Sequence, residues 1–154
     1  VTEKIREINY QGYLHSFVYE DFHPNHNIDI AGKAQEFINH WFEKGFDENS
    51  FEFASQIITA DGKVFSRNEL LEKIHYRLDS YKRFTNIKFK GNEISFEWDE
   101  KKGKGLGHAE GMFSYDAEIE SGEIIHIAGP FKLYMANETG RWQIFYFVFP
   151  GFVW

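Results

Sequence analysis

Apolar positions recur along the chain with two different periods, helical in the first half and alternating in the second. Ile30, Ala34, Phe37, Ile38, Trp41 and Phe42 fall on one face of a helix over about 29–44, which Asp29 can cap and Gly45 ends. Residues 47–54 read as a short second helix. Residues 57–65 form a small hairpin around Asp61-Gly62, a dipeptide that tolerates the positive φ of a tight turn. Ser66 then opens the clearest helix: Ser66 and Glu69 make a capping box, and Leu70, Leu71, Ile74, Leu78 and Tyr81 supply its buried stripe. From Phe84 the period becomes two. Ile87 and Phe89 alternate, Gly91-Asn92 turns, and Ile94, Phe96 and Trp98 alternate again, which predicts a hairpin. A charged, glycine-rich loop over 99–107 leads to long strands over 108–119 and 124–136. Pro130 cannot donate to a ladder, so a bulge is expected at Gly129-Pro130. The last strand, 140–149, stops at Pro150-Gly151. Trp142, Ile144, Tyr146 and Val148 point one way; Gln143, Phe145, Phe147 and Phe149 point the other. Both faces are apolar, so both require cover.

The totals narrow the class. The 154 residues predict one domain over 1–154, with 1–25 as an N-terminal extension whose pattern fixes no structure. A chain of this length buries roughly 70% of its unfolded surface. Aromatic residues make up 19%, which suits a sheet packed on helices or a cavity lined by rings. The net charge of −7, with no basic stripe, argues against nucleic acid. With no cysteine, disulfides and thiolate chemistry are excluded. That composition fits the cytoplasm, although a chain beginning at Val1 is equally compatible with a removed leader. No apolar run approaches the ~20 residues of a spanning helix, so no membrane partner is expected.

Helices first and a meander of strands after them predict an α+β fold: one curved antiparallel sheet wrapped around the N-terminal helices. Three local patterns carry a family resemblance. They are the hairpin Thr59-Ala60-Asp61-Gly62-Lys63-Val64-Phe65 leading into a helix, the long hairpin over 108–136, and the ending Thr139-Gly140-Arg141-Trp142-Gln143-Ile144. Over roughly 29–149 the chain resembles the nuclear transport factor 2-like superfamily, the cone-shaped, cystatin-like fold also called SnoaL-like or ketosteroid-isomerase-like. The resemblance implies a cone with a hydrophobic pocket. It fixes no reaction, because that superfamily holds isomerases, dehydratases, hydrolases and non-catalytic dimerisation modules. The isomerase branch's aspartate, tyrosine and protonated acid have no counterpart here residue by residue. His108 with Glu110 only partly echoes the dehydratase branch.

Strand register assigns the candidate site. Pairing Glu120 with Glu123 and Ala136 with Arg141 gathers His108, Glu110, Met112, Phe131, Leu133, Met135, Trp142, Ile144 and Tyr146 on one face. Trp41, Tyr81 and Trp98 are further candidates for the ligand wall. On this reading Glu110 is the general acid or base, His108 its partner and Tyr146 a donor to a substrate oxygen. The ligand is a small hydrophobic molecule, and no cofactor is called for. A slip of one residue at Gly129-Pro130 sends His108, Glu110 and Met112 to the other face and brings Ala109, Gly111 and Phe113 inside. The plainer reading leaves His108 and Glu110 on a solvated face. Asp116 reads as a surface acid and His126 as a hydrogen-bonded structural histidine. His15, His23 and His26 lack a third zinc ligand at a useful spacing, so no metal is assigned. Gly103-Lys104-Gly105-Leu106-Gly107 leads into a strand, not a helix N-terminus, and cannot cradle phosphate. The second function class is a non-catalytic interaction module. Gln143, Phe145, Phe147 and Phe149, with Phe113 and Tyr134, would form an apolar outer face joining a homodimer sheet against sheet.

Overall fold

The computed structural model describes residues 25–154. The expectations for 1–24, including His15 and His23, lie outside the described residues. The first helix, α1 (His26–Glu43), starts earlier than the apolar pattern indicates. Asn25 is its N-cap and accepts the Ile28 N–H at 3.1 Å, leaving Asp29 in the first turn, where its charge meets the helix dipole. Lys44, at φ 55°, makes the left-handed closing step that Gly45 was expected to make. Ile30, Ala34, Phe37 and Trp41 are its buried stripe.

Residues 47–54 are turns, not a helix: Ser50 donates to Asp47 and Phe53 donates to Ser50. The stretch has another role. Ala54 donates to the Ile144 carbonyl at 2.8 Å and Ile144 to the Glu52 carbonyl at 2.7 Å, so it covers the free edge of the last strand. The hairpin of β1 (Gln56–Ile58) and β2 (Val64–Ser66) follows as expected, with Gly62 at φ 87°. So does α2 (Arg67–Asp79), whose capping box is complete in both directions. The helix ends at Asp79, and Tyr81 opens the next strand instead of completing the helical stripe.

The main sheet is antiparallel in the order β3 (Tyr81–Asp99), β4 (Lys104–Ile119), β5 (Ile124–Asn137), β6 (Trp142–Val148). No hairpin forms at Gly91-Asn92. β3 runs as one 19-residue strand beside β4, with register shifts after Tyr81, Thr85 and Lys90. Each shift inserts one residue, bends the strand and adds twist, which curves the sheet around α1. Gly91 takes φ 78° at the last of these bulges, not in a reversal.

Two local features decide which side chains face α1. The β4–β5 loop holds three residues, 120–122. Ile119 donates to the Glu123 carbonyl at 2.9 Å and Gly122 sits at φ 88°. A two-residue loop had been expected, and the extra residue shifts the pairing by one. Glu110 opposes Lys132, and Gly111 opposes Phe131. The register is unbroken through Gly129-Pro130, so no bulge lies there. The bulge is in β6: Met135 opposes Ile144 but Tyr134 opposes Tyr146, leaving Phe145 as the inserted residue. Inner positions therefore run Trp142, Ile144, Phe147, Phe149, all at most 2% exposed.

Glycines on β4 let the layers close. A Cβ at Gly105 would lie 2.7 Å from Trp98 Cε3, and one at Gly107 would lie 2.8 Å from Ile30 Cδ1 and 3.0 Å from Trp142 Cζ3. The Trp142 indole occupies the space those side chains would need, and its N–H donates to His26 Nδ1 at 3.1 Å.

Candidate functional site

The inner face holds seven of the expected ligand-wall residues: Trp41, Tyr81, Phe131, Leu133, Met135, Trp142 and Ile144 are all at most 5% exposed. Trp98 stands half-buried at one end, its ring 4.2 Å from His26. Most of these side chains pack on further rings of the core, while Phe131, Met135 and Trp98 also reach the edges of open concavities in the sheet. Phe149 lies at the centre, 4.9 Å from Trp41, 5.2 Å from Phe37 and 5.4 Å from Phe113, centroid to centroid.

The turn after Phe149 closes this interior. Tyr115 donates its hydroxyl to the Pro150 carbonyl at 2.5 Å, and Tyr81 donates to the Gly151 carbonyl at 2.8 Å. Burial pushes both phenols above the ordinary tyrosine value, Tyr115 strongly, so both remain protonated donors. The Trp41 indole N–H faces the Tyr115 hydroxyl without reaching hydrogen-bond geometry and has no partner among the described residues.

His108, Glu110, Met112 and Tyr146 lie on the opposite, outer face, which corrects their assignment to the pocket. The three-residue loop turns the first three outward, and the Phe145 bulge turns Tyr146 outward. The three proposed catalytic groups nonetheless share one region. His108 Nε2 is 3.2 Å from Glu110 Oε1, and its Nδ1 is 3.3 Å from Ser95 Oγ. The His108 ring lies 5.3 Å from Tyr134, which stacks on Tyr146 at 5.7 Å, which in turn stacks on Trp154 at 5.3 Å. Two open concavities flank the pair. One of about 380 Å³ includes Ser95, Leu106, His108, Tyr134 and Phe145. The other, about 460 Å³, includes Lys90, Glu93, Glu110, Met112 and Lys132.

A hydroxyl, an imidazole and a carboxylate in a chain can relay a proton. Acyl-transfer chemistry also needs free N–H donors aimed at a developing oxyanion. His108 and Glu110 stand in the middle of a paired ladder, where backbone N–H groups serve the neighbouring strands.

Elsewhere Asp116 accepts from His126 at 2.8 Å and from Asn86 at 2.8 Å. The Asn86 amide, then the His126 contact, hold its carboxyl below the ordinary aspartate value. Sequence reasoning missed the contact of His40 Nδ1 with Glu52 Oε2, since nothing in a spacing of twelve marks it. It also missed Tyr115, whose shared parity with Phe113 was the available signal. Among the described residues no three metal-ligating side chains come together.

No family model matches the chain, and no curated protein matches it. Solved structures do. A putative dehydratase from the NTF2-like family of Streptomyces avermitilis aligns with TM-score 0.57 and 11% identity, over 80% of this chain and 95% of that one. An uncharacterized protein with a cystatin-like fold from Caulobacter vibrioides aligns at 0.55 and 13%, over 79% and 85%. An NTF2-like protein of unknown function from Exiguobacterium sp. 255-15 aligns at 0.52 and 13%, over 77% and 97%. At such identities the shared property is architecture: this chain has the nuclear transport factor 2-like, cystatin-like α+β fold.

Proposed function

We infer that the domain works as a non-catalytic interaction module that self-associates through the outer face of its sheet. The observation that carries this reading is the filled interior: the chain's own rings occupy the volume where a cone-shaped enzyme would hold substrate. The outer face keeps apolar groups in solvent instead. Leu106 is 61% exposed and Met112 49%, beside Tyr134, Phe145, Tyr146 and Val148. Phe113, Phe147 and Phe149, expected in that patch, belong to the core, so the patch is built from different residues than the sequence pattern named. Four strands spaced about 4.8 Å and rising about 3.3 Å per residue present roughly 900 Å² per face, the scale of a stable interface. A two-fold stack of this face on itself is self-complementary by construction.

Sedimentation equilibrium at micromolar concentration is expected to show a dimer. Leu106→Glu with Phe145→Glu should give a folded monomer, because unpaired carboxylates would be buried at the contact. A wild-type monomer at every concentration overturns the reading.

The second reading is an acid–base lyase, isomerase or hydrolase with Glu110 as acid or base. It draws on the 3.2 Å contact of His108 with Glu110 beside two concavities, and on the similarity to a putative dehydratase. The open position of the pair on the outer sheet face makes it the weaker one. Any turnover found should vanish in Glu110→Gln while folding is retained.

A further inference from the structure

The buried end of the cone holds a set of hydrogen-bond donors whose present occupant is the chain's own C-terminal turn. Tyr115 and Tyr81 each donate to one carbonyl of that turn, Pro150 and Gly151. Both tyrosines are at most 5% exposed. Phe149 and Phe152 flank the two carbonyls and are buried at 2% and 8%. The occupant is therefore a neutral diamide between two aromatic rings. Its fit depends on Gly151, which sits at φ 103°. A Cβ there would collide with the Tyr115 hydroxyl and would lie 3.4 Å from the Tyr81 hydroxyl. Beyond the turn, Trp154 Nε1 donates to the Phe147 carbonyl at 2.7 Å and ties the segment back onto β6.

The donor set is larger than its occupant uses. Trp41 is 0% exposed, and its indole N–H has no acceptor among the described residues. Burying a donor without an acceptor is unfavourable. A molecule that presents two carbonyls, one of them placed to accept from the indole N–H as well as from a phenol, satisfies all three donors, which the turn does not.

We propose that Trp41, Tyr81 and Tyr115 form a ligand site for small, uncharged aromatic compounds carrying two amide or ketone carbonyls, and that the Pro150-Gly151 turn competes for it as an internal ligand. The site faces the sheet interior, so it is independent of self-association through the outer face. Charged ligands are disfavoured, because burial among rings penalises charge.

The probe is the cyclic dipeptide cyclo(L-Phe-L-Pro), an uncharged diamide with one phenyl ring, titrated calorimetrically into the full chain. Gly151→Ala drives the turn off its donors and should bind the probe about tenfold tighter than wild type, since the competing closed population is removed. Tyr115→Phe in the Gly151→Ala chain should lose that gain. If Gly151→Ala does not fold, hydrogen exchange on the wild-type chain decides: saturating probe should speed exchange of the Gly151, Phe152 and Val153 amides. The proposal is overturned if neither chain binds at millimolar probe, if the probe binds with those amides still protected, or if Tyr115→Phe binds as well as its parent.

Discussion

His40 Nδ1 stands 2.5 Å from Glu52 Oε2, and joins the outer flank of α1 to the turn segment that covers the edge of β6. Glu52 is 1% exposed, whereas the His40 side chain is 31% exposed. Among the described residues His40 is the one side-chain partner of this buried carboxylate, and a buried carboxylate depends on its partner. The segment carries Phe53 into the core against Phe37, and the backbone of Glu52 accepts from Ile144. His40→Ala removes that partner and should cost about 1.5–3 kcal/mol, the range for hydrogen bonds to charged groups. Urea unfolding followed by circular dichroism measures the loss. A change below a few tenths of a kcal/mol would show that solvent replaces the imidazole.

Gly107 offers a second test, of packing. The Cβ of Gly107→Ala would lie 2.8 Å from Ile30 Cδ1 and 3.0 Å from Trp142 Cζ3, inside a contact between buried groups. Its φ is not in the left-handed region, so the effect isolates crowding from backbone strain. The expected destabilisation is about 1–3 kcal/mol, the usual cost of overpacking. Gly62→Ala makes the contrast. No atom lies within 4 Å of its Cβ, and its φ of 87° supplies strain alone. Trp142 fluorescence should shift in Gly107→Ala and stay unchanged in Gly62→Ala.

The elements that were legible from sequence are those whose stability is local. The Ser66–Glu69 box and the Asp61-Gly62 hairpin declare themselves within a few residues, and both form as expected. The change of period after α2 likewise announces the sheet. The candidate site failed at two single-residue decisions. Nothing in the composition of 119–123 says whether the loop has two residues or three, and Pro130 drew the bulge to the wrong strand. The true bulge, at Phe145, sits in an unbroken aromatic run whose two faces look alike. Period-two arithmetic turns each such error into a reversal of every side chain beyond it. Thus Phe131, Leu133, Met135, Trp142 and Ile144 were placed inward correctly, while His108, Glu110, Met112 and Tyr146 were not.

Asp116 gives the fold an acid-side dependence. Its folded pKa lies below the ordinary aspartate value, mainly through the Asn86 amide and then through His126. A depressed carboxylate pKa contributes stability that is fully present above the unfolded value of about 3.9 and is lost as pH falls through the folded one. Asn86→Ala should therefore lower stability slightly at neutral pH, flatten the acid slope, and leave the most acidic limit, where the carboxyl is protonated in both states, little changed. The Asp116 side chain is 23% exposed, and only the part of the shift due to the charges of His126 and Lys88, not the Asn86 hydrogen bond, should shrink in high salt. Stability curves from urea unfolding between neutral pH and the acid limit, with and without the substitution, provide the comparison. Identical acid slopes would remove Asp116 from the account.

The two tyrosines that clasp the C-terminal turn predict the opposite dependence at the alkaline end. Desolvation raises the pKa of Tyr115 strongly and that of Tyr81 in the same direction. A raised folded pKa contributes stability that is fully present below the unfolded value, about 10 for tyrosine, and is lost as pH climbs through the folded value. Between those two values the unfolded chain gives up the phenolic proton while the folded chain keeps it. Stability should therefore fall steeply above about pH 10. Tyr115→Phe removes the titrating group and flattens that fall, but it also leaves the Pro150 carbonyl without its donor, so the neutral-pH stability should drop by about 1 kcal/mol. The crossing of the two curves is the decisive feature: the variant is weaker at neutral pH and relatively less sensitive to alkali. Absorbance of the phenolate near 295 nm, recorded beside circular dichroism, should show Tyr115 ionising only as the fold is lost. A phenolate signal from Tyr115 in the intact fold near its ordinary pKa would mean that the Pro150-Gly151 turn does not seal the interior.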